Sequence, residues 1–365
     1  MNLEEIARLA GVSRSTVSRV VNGDRRVSVT ARERVEEVIR VHNYHPNAAA
    51  RSLASKRTRL IGLLIPQAVG SLFRDPFFPV LIQGIAEACN ETDYILTMLM
   101  EDTNSGLASH RVYERVIRGR HLDGVMIASS VVEDPIVSRL QESGFPFVLI
   151  GRHPRLQVSS VDVDNRAGAK SGVGHLLEHG RRRIAMIAGP RNMIATIDRY
   201  AGYVNALGEV GLLPESELIV YSDFTRRGGY RAMQEILSNP GGLPDAVFAA
   251  SDAMASGALQ ALRDGGLRVP DDVAVMGFDG FEDTLVSLPI LSTVVQPAEE
   301  EGRVAVRTLL EIIEYPDRAP LQRCLPTSLS LRRSCGCHSD QSAQAMAAAN
   351  QVVTADVAER GGMTT

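Results

Sequence analysis

The chain of 365 residues is long enough for two or three domains, and its 44% hydrophobic and 22% charged residues are typical of a globular protein. No run of 18 apolar residues occurs, which excludes a membrane-spanning segment. The acidic, amphipathic start MNLEEIARLAG lacks the basic region and apolar stretch of a secretory signal. We therefore expect a cytoplasmic protein, in which the four cysteines stay reduced.

The charge is unevenly distributed along the chain. Residues 1–60 contain 12 Lys and Arg against 6 Asp and Glu, whereas the whole chain has a net charge of −4. A basic segment in front of an acidic body indicates that the first segment has a polyanionic partner.

The basic segment begins with three predicted helices. The first covers residues 3–10, with Asn2 as its N-cap and Gly11 at its end. The second covers about 14–21, and the third starts near Ser28 and ends before the proline of YHP (44–46). Two helices joined by a tight glycine turn, with a third packed across them, form a helix-turn-helix.

The second helix has the surface of a DNA-reading helix. Arg14, Ser15 and Arg19 share its polar face, and the valines of the segment share the other. An arginine can bond O6 and N7 of guanine together, which discriminates between bases by about 1–3 kcal/mol. The predicted phosphate contacts beyond this helix are Asn22, Arg26 and Thr30. An ordinary surface hairpin of helices would show the same spacing, so this alternative stays open on pattern alone.

From residue 60 onward, short apolar runs alternate with amphipathic helical stretches. The predicted strands are LIGLLIP (60–66), YILTMLM (94–100), GVMIAS (124–129), FVLIG (147–151), IAMIAG (184–189), LIVYS (218–222), AVFAAS (246–251), VAVMGFD (273–279) and STVVQP (292–297). Strands that alternate with helices predict parallel sheets, here in two similar α/β lobes.

Several motifs closely resemble the lactose repressor (LacI/GalR) family, over about residues 2–333. They are GVSRSTVSRVVNG (11–23) with the following segment to residue 55, PFF (76–78), VDVDN (161–165), RRRIAMIAGP (181–190), RYAGY (199–203), GLRVPDDVAVMGFDG (266–280) and TVVQP (293–297). The resemblance implies a ligand-responsive, sequence-specific DNA-binding regulator of the repressor type, and not an enzyme.

The resemblance also implies the domain organisation. A helix-turn-helix headpiece covers 1–46, a hinge helix and linker cover 47–59, and two Rossmann-like lobes, similar to periplasmic binding proteins, cover 60–333. The expected segments are 60–162 and 297–320 for the N-lobe, 163–293 and 321–333 for the C-lobe, and 334–365 for a loose tail.

In the family the hinge helix enters the minor groove, and an apolar side chain wedges between base pairs. The matching residue here is Leu53, with Ala50 beside it and Asn47 as the helix cap and a phosphate contact. Such a wedge kinks the DNA and brings more of the protein into contact with it. A buried anchor in a linker is the alternative role for Leu53.

The cleft between the lobes is the implied effector site, since ligands bind at the carboxyl ends of the strands in open α/β sheets. The expected effector is a sugar, held by aromatic faces and by Arg and Asp side chains. The candidate residues are Phe77, Phe78, Ser129, Arg152, Arg199, Phe224, Ser251 and Asp279. Of the adjacent Phe77 and Phe78, we expect one to belong to the core instead.

The predicted partners are a pseudopalindromic double-stranded operator, a small-molecule effector and a second copy of the chain. A dimer is favoured over a tetramer because the tail has no leucine heptads. A solute-binding protein would have no use for the basic headpiece, and an α/β enzyme would need a recognisable catalytic set. Deleting residues 1–58 distinguishes these three hypotheses. A repressor without these residues should lose DNA binding but still bind its ligand.

We expect no cofactor and no metal. The glycines of GAKSGVG (168–174) do not match a dinucleotide-binding motif. The segment Cys335-Gly336-Cys337-His338 resembles half of a zinc site, but zinc needs about four ligands, so an ordinary thiol-containing tail is the expectation. His175 and His179 lie one helical turn apart, and we expect them at the surface or at a lobe edge.

Overall fold

In the computed structural model the chain divides into two units, Met1–Arg59 and Leu60–Thr365. The residues described are 1–21, 24, 26–44, 57–65, 75–100, 114, 118–119, 121–128, 132, 135–281 and 290–337. Within these ranges no helix is both long and apolar enough to cross a membrane.

The described residues of the first unit form three helices: α1 (Leu3–Ala10), α2 (Arg14–Val21) and α3 (Val29–Val41). The predicted start of α1 is confirmed, since the Asn2 side chain accepts from the backbone of Glu4 and Glu5 while Glu5 accepts from the Asn2 N–H. Gly11 ends α1 with φ of +61°, a conformation that glycine adopts without strain. The tight turn that follows sets the direction of α2.

A small apolar core holds the three helices together. Ile6, Val17 and Val35, one from each helix, are fully buried there. This buried set leaves the polar side of α2 free to face outward.

The second unit contains two six-stranded sheets. The strands are β1 (Leu60–Ile65), β2 (Ile95–Met100), β3 (Gly124–Ala128), β4 (Phe147–Ile150), β5 (Ser160–Val163), β6 (Ile184–Ala188), β7 (Ile219–Tyr221), β8 (Ala246–Ala249), β9 (Ala274–Asp279), β10 (Ser292–Val295), β11 (Gln322–Leu325) and β12 (Ser328–Ser330). The first sheet has the order β11-β5-β4-β3-β1-β2 and the second β12-β10-β9-β8-β6-β7. All neighbours pair in parallel except β12, which is antiparallel to β10.

Helices cover the sheets, as expected for parallel strands that are buried on both faces. They are α4 (Phe77–Asn90), α5 (Pro135–Ser143), α6 (Asn165–Glu178), α7 (Ile194–Glu209), α8 (Arg226–Leu237), α9 (Asp252–Asp264) and α10 (Ala298–Glu314). In the first lobe, α4 and α10 pack on one face and α5 on the other. In the second lobe, the strands and their helices share one large core.

The lobe boundary near residue 320 was predicted too early. β11 pairs with β5 in the first sheet, where Gln322 lies opposite Ser160, so the chain returns to the second lobe only with β12. The segment 321–325 therefore belongs to the N-lobe and not to the C-lobe. The strand has the mixed-polarity sequence QRCL, which does not indicate to which of the two sheets it belongs.

The start of the expected loose tail is also packed. Ser334 and Cys335 lie in a short 3₁₀ helix and are fully buried. Ser334 accepts a hydrogen bond from the Ser292 N–H at 2.7 Å and donates one to the Val275 carbonyl at 2.7 Å, so it joins this segment to β9 and β10. Residues 338–365 lie outside the described part of the chain.

Candidate functional site

The polar face of α2 is exposed as a group. Arg14, Ser15 and Arg19 face solvent, whereas Val17 and Val20 are buried against the other two helices. The Arg14 side chain is 68% exposed, and its only described ionic partner is the exposed Glu4 at 3.8 Å. At that distance the pair is weak, so Arg14 is free to reach a base edge.

The expected phosphate contacts differ in their surroundings. Thr30 is exposed in the first turn of α3, where backbone N–H groups favour an anion. Arg26 is exposed but bonds Asp24 through Nε and Nη2 at 3.1 Å, and this hydrogen bond lowers the pKa of Asp24 to about 2. Asn22 and the hinge residues Asn47, Ala50 and Leu53 lie outside the described residues.

A cleft of about 720 Å³ opens where strands of both sheets end. The residues that line it are Asp75, Phe77, Ile150, Gly151, Arg152, Asp162, Val163, Asn165, Met193, Ile194, Ala195, Arg199, Phe224, Ser251, Asp279, Gln296 and Glu301. Six of the predicted effector residues are among them: Phe77, Arg152, Arg199, Phe224, Ser251 and Asp279. The structure thus brings together residues up to about 200 positions apart in sequence.

Two candidates fall outside this set. Phe78 is fully buried in the core between α4 and the first sheet, so it packs against neighbouring side chains instead of facing the cleft. This is the division that we expected between Phe77 and Phe78. Ser129 lies outside the described residues.

Arg199, on α7, is the central cation of the cleft. It is 5% exposed, its Nε donates to Asn165 Oδ1 at 2.8 Å, and its Nη1 donates to the Ala250 carbonyl at 2.6 Å. Its guanidinium carbon lies 3.7 Å from the ring centre of Phe278, and Nη1 lies 3.6 Å from Asp279. These contacts fix the guanidinium in a single orientation at the base of the cleft.

Asp279 and Asp252 form a buried carboxylate pair behind the cleft. Asp279 accepts from Gln296 Nε2 at 2.6 Å and from the Asp252 N–H at 3.2 Å. Asp252 accepts from the Thr293 hydroxyl at 2.6 Å and from the Gly280 N–H at 2.7 Å. Burial raises the pKa of both carboxyls, that of Asp252 to about 6. The hydrogen bonds act in the opposite direction, because they stabilise the ionised form of each carboxyl.

Three further acidic residues face the cleft, and the sequence analysis had missed them. Burial raises the pKa of Asp75, of Asp162 (to about 6) and of Glu301. Glu301 is 3% exposed, and its Oε2 has no hydrogen-bond partner within the described chain. A buried polar atom of this kind is satisfied by a ligand group or by water. Asp162 lies within VDVDN (161–165) but was not singled out there, and no motif signals Asp75 or Glu301, which come from separate elements.

An ion pair joins the two lobes at the rim of the cleft. Arg152 follows β4 of the first lobe, and Asp198 lies on α7 of the second. The pair is bidentate, with Nε–Oδ2 at 2.8 Å and Nη2–Oδ1 at 2.5 Å. Because Asp198 is buried and Arg152 is half-exposed, the contact is stronger than a surface pair and depends on the lobes staying together.

Ser251 has a structural task besides facing the cleft. Its Oγ accepts from the Met254 N–H at 3.2 Å and so caps α9. The short Ser251 side chain therefore both caps α9 and lines the cleft.

Asp162 should make stability depend on pH. Its pKa is raised from 3.8 to about 6, first by burial and then by Asp198, so the folded state binds its proton more tightly than the unfolded state. The resulting stability is present below about pH 4 and is lost as the pH rises to about 6. We expect D162N to raise the free energy of unfolding by up to roughly 3 kcal/mol at pH 7 and by only about 1 kcal/mol at pH 4.5.

Urea unfolding of the ligand-free protein at both pH values measures this difference. D93N, at an exposed turn, is the matched control and should behave like the parent. Equal effects of D162N at the two pH values would contradict the assignment.

A helix-turn-helix unit followed by a two-lobed body with a polar cleft defines a ligand-responsive, DNA-binding regulator of transcription. Comparisons with known proteins agree with this class. Residues 2–47 match the family model "Bacterial regulatory proteins, lacI family", and residues 173–335 match "Periplasmic binding protein-like domain".

Relatives match over most of the chain. The HTH-type transcriptional regulator CelR of Thermobifida fusca is 40% identical over 335 residues, 91% of this chain and 97% of that protein. The ribose operon repressor of Escherichia coli (strain K12) is 35% identical over 316 residues, which are 86% of this chain and 93% of that protein. This chain therefore belongs to the LacI family of bacterial regulatory proteins and is a DNA-binding transcriptional regulator of the repressor type.

Solved structures show the same architecture. A CelR–cellobiose complex is 38% identical, covers 92% of this chain and 99% of its own, and has a TM-score of 0.72. The lac repressor dimer bound to operator and to the anti-inducer ONPF is 27% identical. The match covers 92% of this chain and 99% of that chain, with a TM-score of 0.79.

Proposed function

We propose that this protein binds a pseudopalindromic operator as a homodimer and that a neutral sugar in the cleft changes its affinity for DNA. The observation that carries the choice of ligand is the charge of the cleft. Arg199 is its buried cation, and four carboxyls surround it: Asp75, Asp162, Asp279 and Glu301. Hydroxyl groups form hydrogen bonds with such carboxyls in either protonation state, whereas the carboxyls that are ionised repel a phosphate or carboxylate ligand.

The shape of the cleft also supports a sugar. Phe77 and Phe224 supply aromatic faces from different lobes, on which the C–H face of a pyranose can pack. Because the CelR relative was solved with cellobiose, cellobiose is the first effector to test.

On the DNA side, we propose that Arg14, Ser15 and Arg19 read bases, while Asn22, Arg26, Thr30 and Asn47 contact phosphates. Ala50 and Leu53 are proposed for the minor groove. A two-fold operator needs two copies of the exposed face of α2, which supports a homodimer. This role places the protein in the cytoplasm, with the chromosome, and requires no catalysis.

Titrations with neutral sugars of two sizes and with a sugar phosphate test the proposal. Calorimetry with the full chain compares cellobiose, ribose and glucose 6-phosphate, and fluorescence anisotropy follows operator binding with and without each compound. We expect a neutral sugar to bind and to change operator affinity by roughly 5–150-fold, the usual range of allosteric coupling. Binding of the sugar phosphate in preference to every neutral sugar would contradict the charge argument.

The position of the Phe224 ring gives a second prediction. A Cβ placed on Gly189 would lie 2.1 Å from Phe224 Cζ and 2.5 Å from Thr196 Oγ1, so G189A must displace the ring. We expect a loss of roughly 1–3 kcal/mol in sugar binding, about 5–150-fold in affinity. G208A is the matched control, because its Cβ meets no atom within 4 Å, and equal affinities of the two variants for cellobiose would exclude Phe224 from the site.

The pair that joins the lobes gives a third prediction. D198N keeps the size of the side chain but removes its charge, so the lobes lose a bidentate contact near the ligand. We expect sugar affinity to fall roughly 5–10-fold, in line with about 1 kcal/mol for a partly exposed pair. A double-mutant cycle with R152A checks the cause: additive losses would show that the two side chains act independently.

A further inference from the structure

Two cysteines of the C-terminal segment lie against two histidines of α6. Cys335 Sγ is 3.3 Å from His175 Nε2, Cys337 Sγ is 3.4 Å from the same nitrogen, and Cys337 Sγ is 3.5 Å from His179 Nε2. The atoms of His175, Cys335 and Cys337 that are able to bind a metal all lie within 4.8 Å of one another. Three ligand atoms thus converge, and His179 adjoins them through Cys337, although about 160 residues separate the histidines from the cysteines.

These distances match the edges of a tetrahedral zinc site. With Zn–S of about 2.3 Å and Zn–N of about 2.0 Å, tetrahedral angles place sulfur and nitrogen roughly 3.5 Å apart. A bare cluster of this kind offers two thiols, which are weak hydrogen-bond donors, to two imidazole nitrogens. The Cys335 thiol also donates to the Arg332 carbonyl at 3.3 Å, and a metal ion would give the thiols and the imidazoles a common partner.

The orientation of the histidines fits metal binding. His179 Nδ1 lies 3.1 Å from the His175 carbonyl, and this contact places the proton on Nδ1 and the lone pair on Nε2, which faces Cys337. Metal-binding histidines commonly donate their other N–H to a carbonyl in this way. One turn of α6 separates the two rings, whose centres are 4.3 Å apart.

The segment that carries the thiols is held firmly. Ser334 is bonded to two strands, as described above, and Cys335 and His175 are buried in the second lobe, while His179 is exposed at the edge of the cluster. A fixed pair of ligands with an open side allows an ion to enter without unfolding the lobe.

We propose that His175, His179, Cys335 and Cys337 form a zinc site that fastens the C-terminal segment to α6. Two thiolates and two imidazoles are a donor set that favours Zn²⁺ over Mg²⁺ or Ca²⁺, and two thiolates neutralise the charge of the ion. The sequence analysis noted the cysteine pair and the histidine pair separately and did not join them, because about 160 residues lie between them. The site is separate from the sugar cleft and does not depend on the proposed effector.

Metal titration of the full chain, without a polyhistidine tag and with a thiol-free reductant, tests the site. Co²⁺ reports tetrahedral thiolate binding through its charge-transfer and d–d bands, and competition with Zn²⁺ gives the affinity. We expect one ion per chain and a loss of about 100-fold or more in Zn²⁺ affinity in C337S. H179Q should weaken binding less, because His179 lies exposed at the edge of the cluster and a neutral imidazole compensates the charge of Zn²⁺ less than a thiolate does.

C324S is the matched control, because Cys324 is an exposed cysteine outside the cluster and its loss should leave metal binding unchanged. Thermal unfolding of the parent should shift upward with Zn²⁺, and that shift should vanish in C337S. Circular dichroism of C337S without metal checks that the variant is folded. Equal Zn²⁺ affinity in C337S and the parent, or cobalt spectra without thiolate bands, would overturn the proposal.

Discussion

Replacing Arg199 with methionine should abolish effector binding and lower the free energy of unfolding by roughly 3–5 kcal/mol. Loss of one partner of a buried charged network has this effect because the remaining charges stay buried and unpaired. Arg199 bonds Asn165 and the Ala250 carbonyl and lies beside Asp279, so no other described side chain can replace it. Calorimetry with cellobiose and urea unfolding measure the two effects.

The matched control for Arg199 is R268A, which removes an arginine that is 70% exposed and pairs with Asp272 at the surface. It should change stability by about 1 kcal/mol or less and leave ligand binding intact. R199K keeps the positive charge but lacks the planar guanidinium group. Compared with R199M, it should therefore regain part of the stability but little of the affinity for the sugar. Normal sugar binding by the methionine variant would show that Arg199 only supports the fold.

Replacing Arg19 with alanine should weaken operator binding by roughly 1–3 kcal/mol, or about 5–150-fold, and relax the preference for one base pair. The Arg19 side chain is exposed on α2 and does not belong to the core. Its removal should therefore weaken DNA binding without lowering the stability of the fold. Anisotropy titrations against the operator and against operators with single substitutions measure both effects.

R40A is the control for Arg19, because Arg40 is exposed on α3 and bonds Glu37 on the same helix, away from α2. A phosphate contact would lower affinity equally for all sequences and reduce the salt dependence, whereas a base contact changes the preference itself. An unchanged footprint and affinity in R19A would refute the assignment of Arg19.

The first unit was predictable in detail because its signals are local. Asn2, Gly11 and Ser28 act on residues within a turn of themselves, so the helix ends follow from the sequence. The alternating strands and helices of the body are predictable for the same reason. The site was predictable only in part. Phe77, Arg199 and Asp279 follow motifs of the family, and Asp162 lies within one but was not singled out, whereas Asp198 and Glu301 show no pattern of their own.

The sequence by itself determined the helix-turn-helix, the α/β alternation and the family, because each depends on neighbours in the chain or on ordered motifs. The tertiary structure decided which strands share a sheet, which of Phe77 and Phe78 faces the cleft, and that His175 meets Cys335. The physical reason is that the charge balance of the cleft, the burial of each side chain and the geometry of a ligand site depend on contacts between residues far apart in the chain. Only folding sets the distances on which these quantities depend.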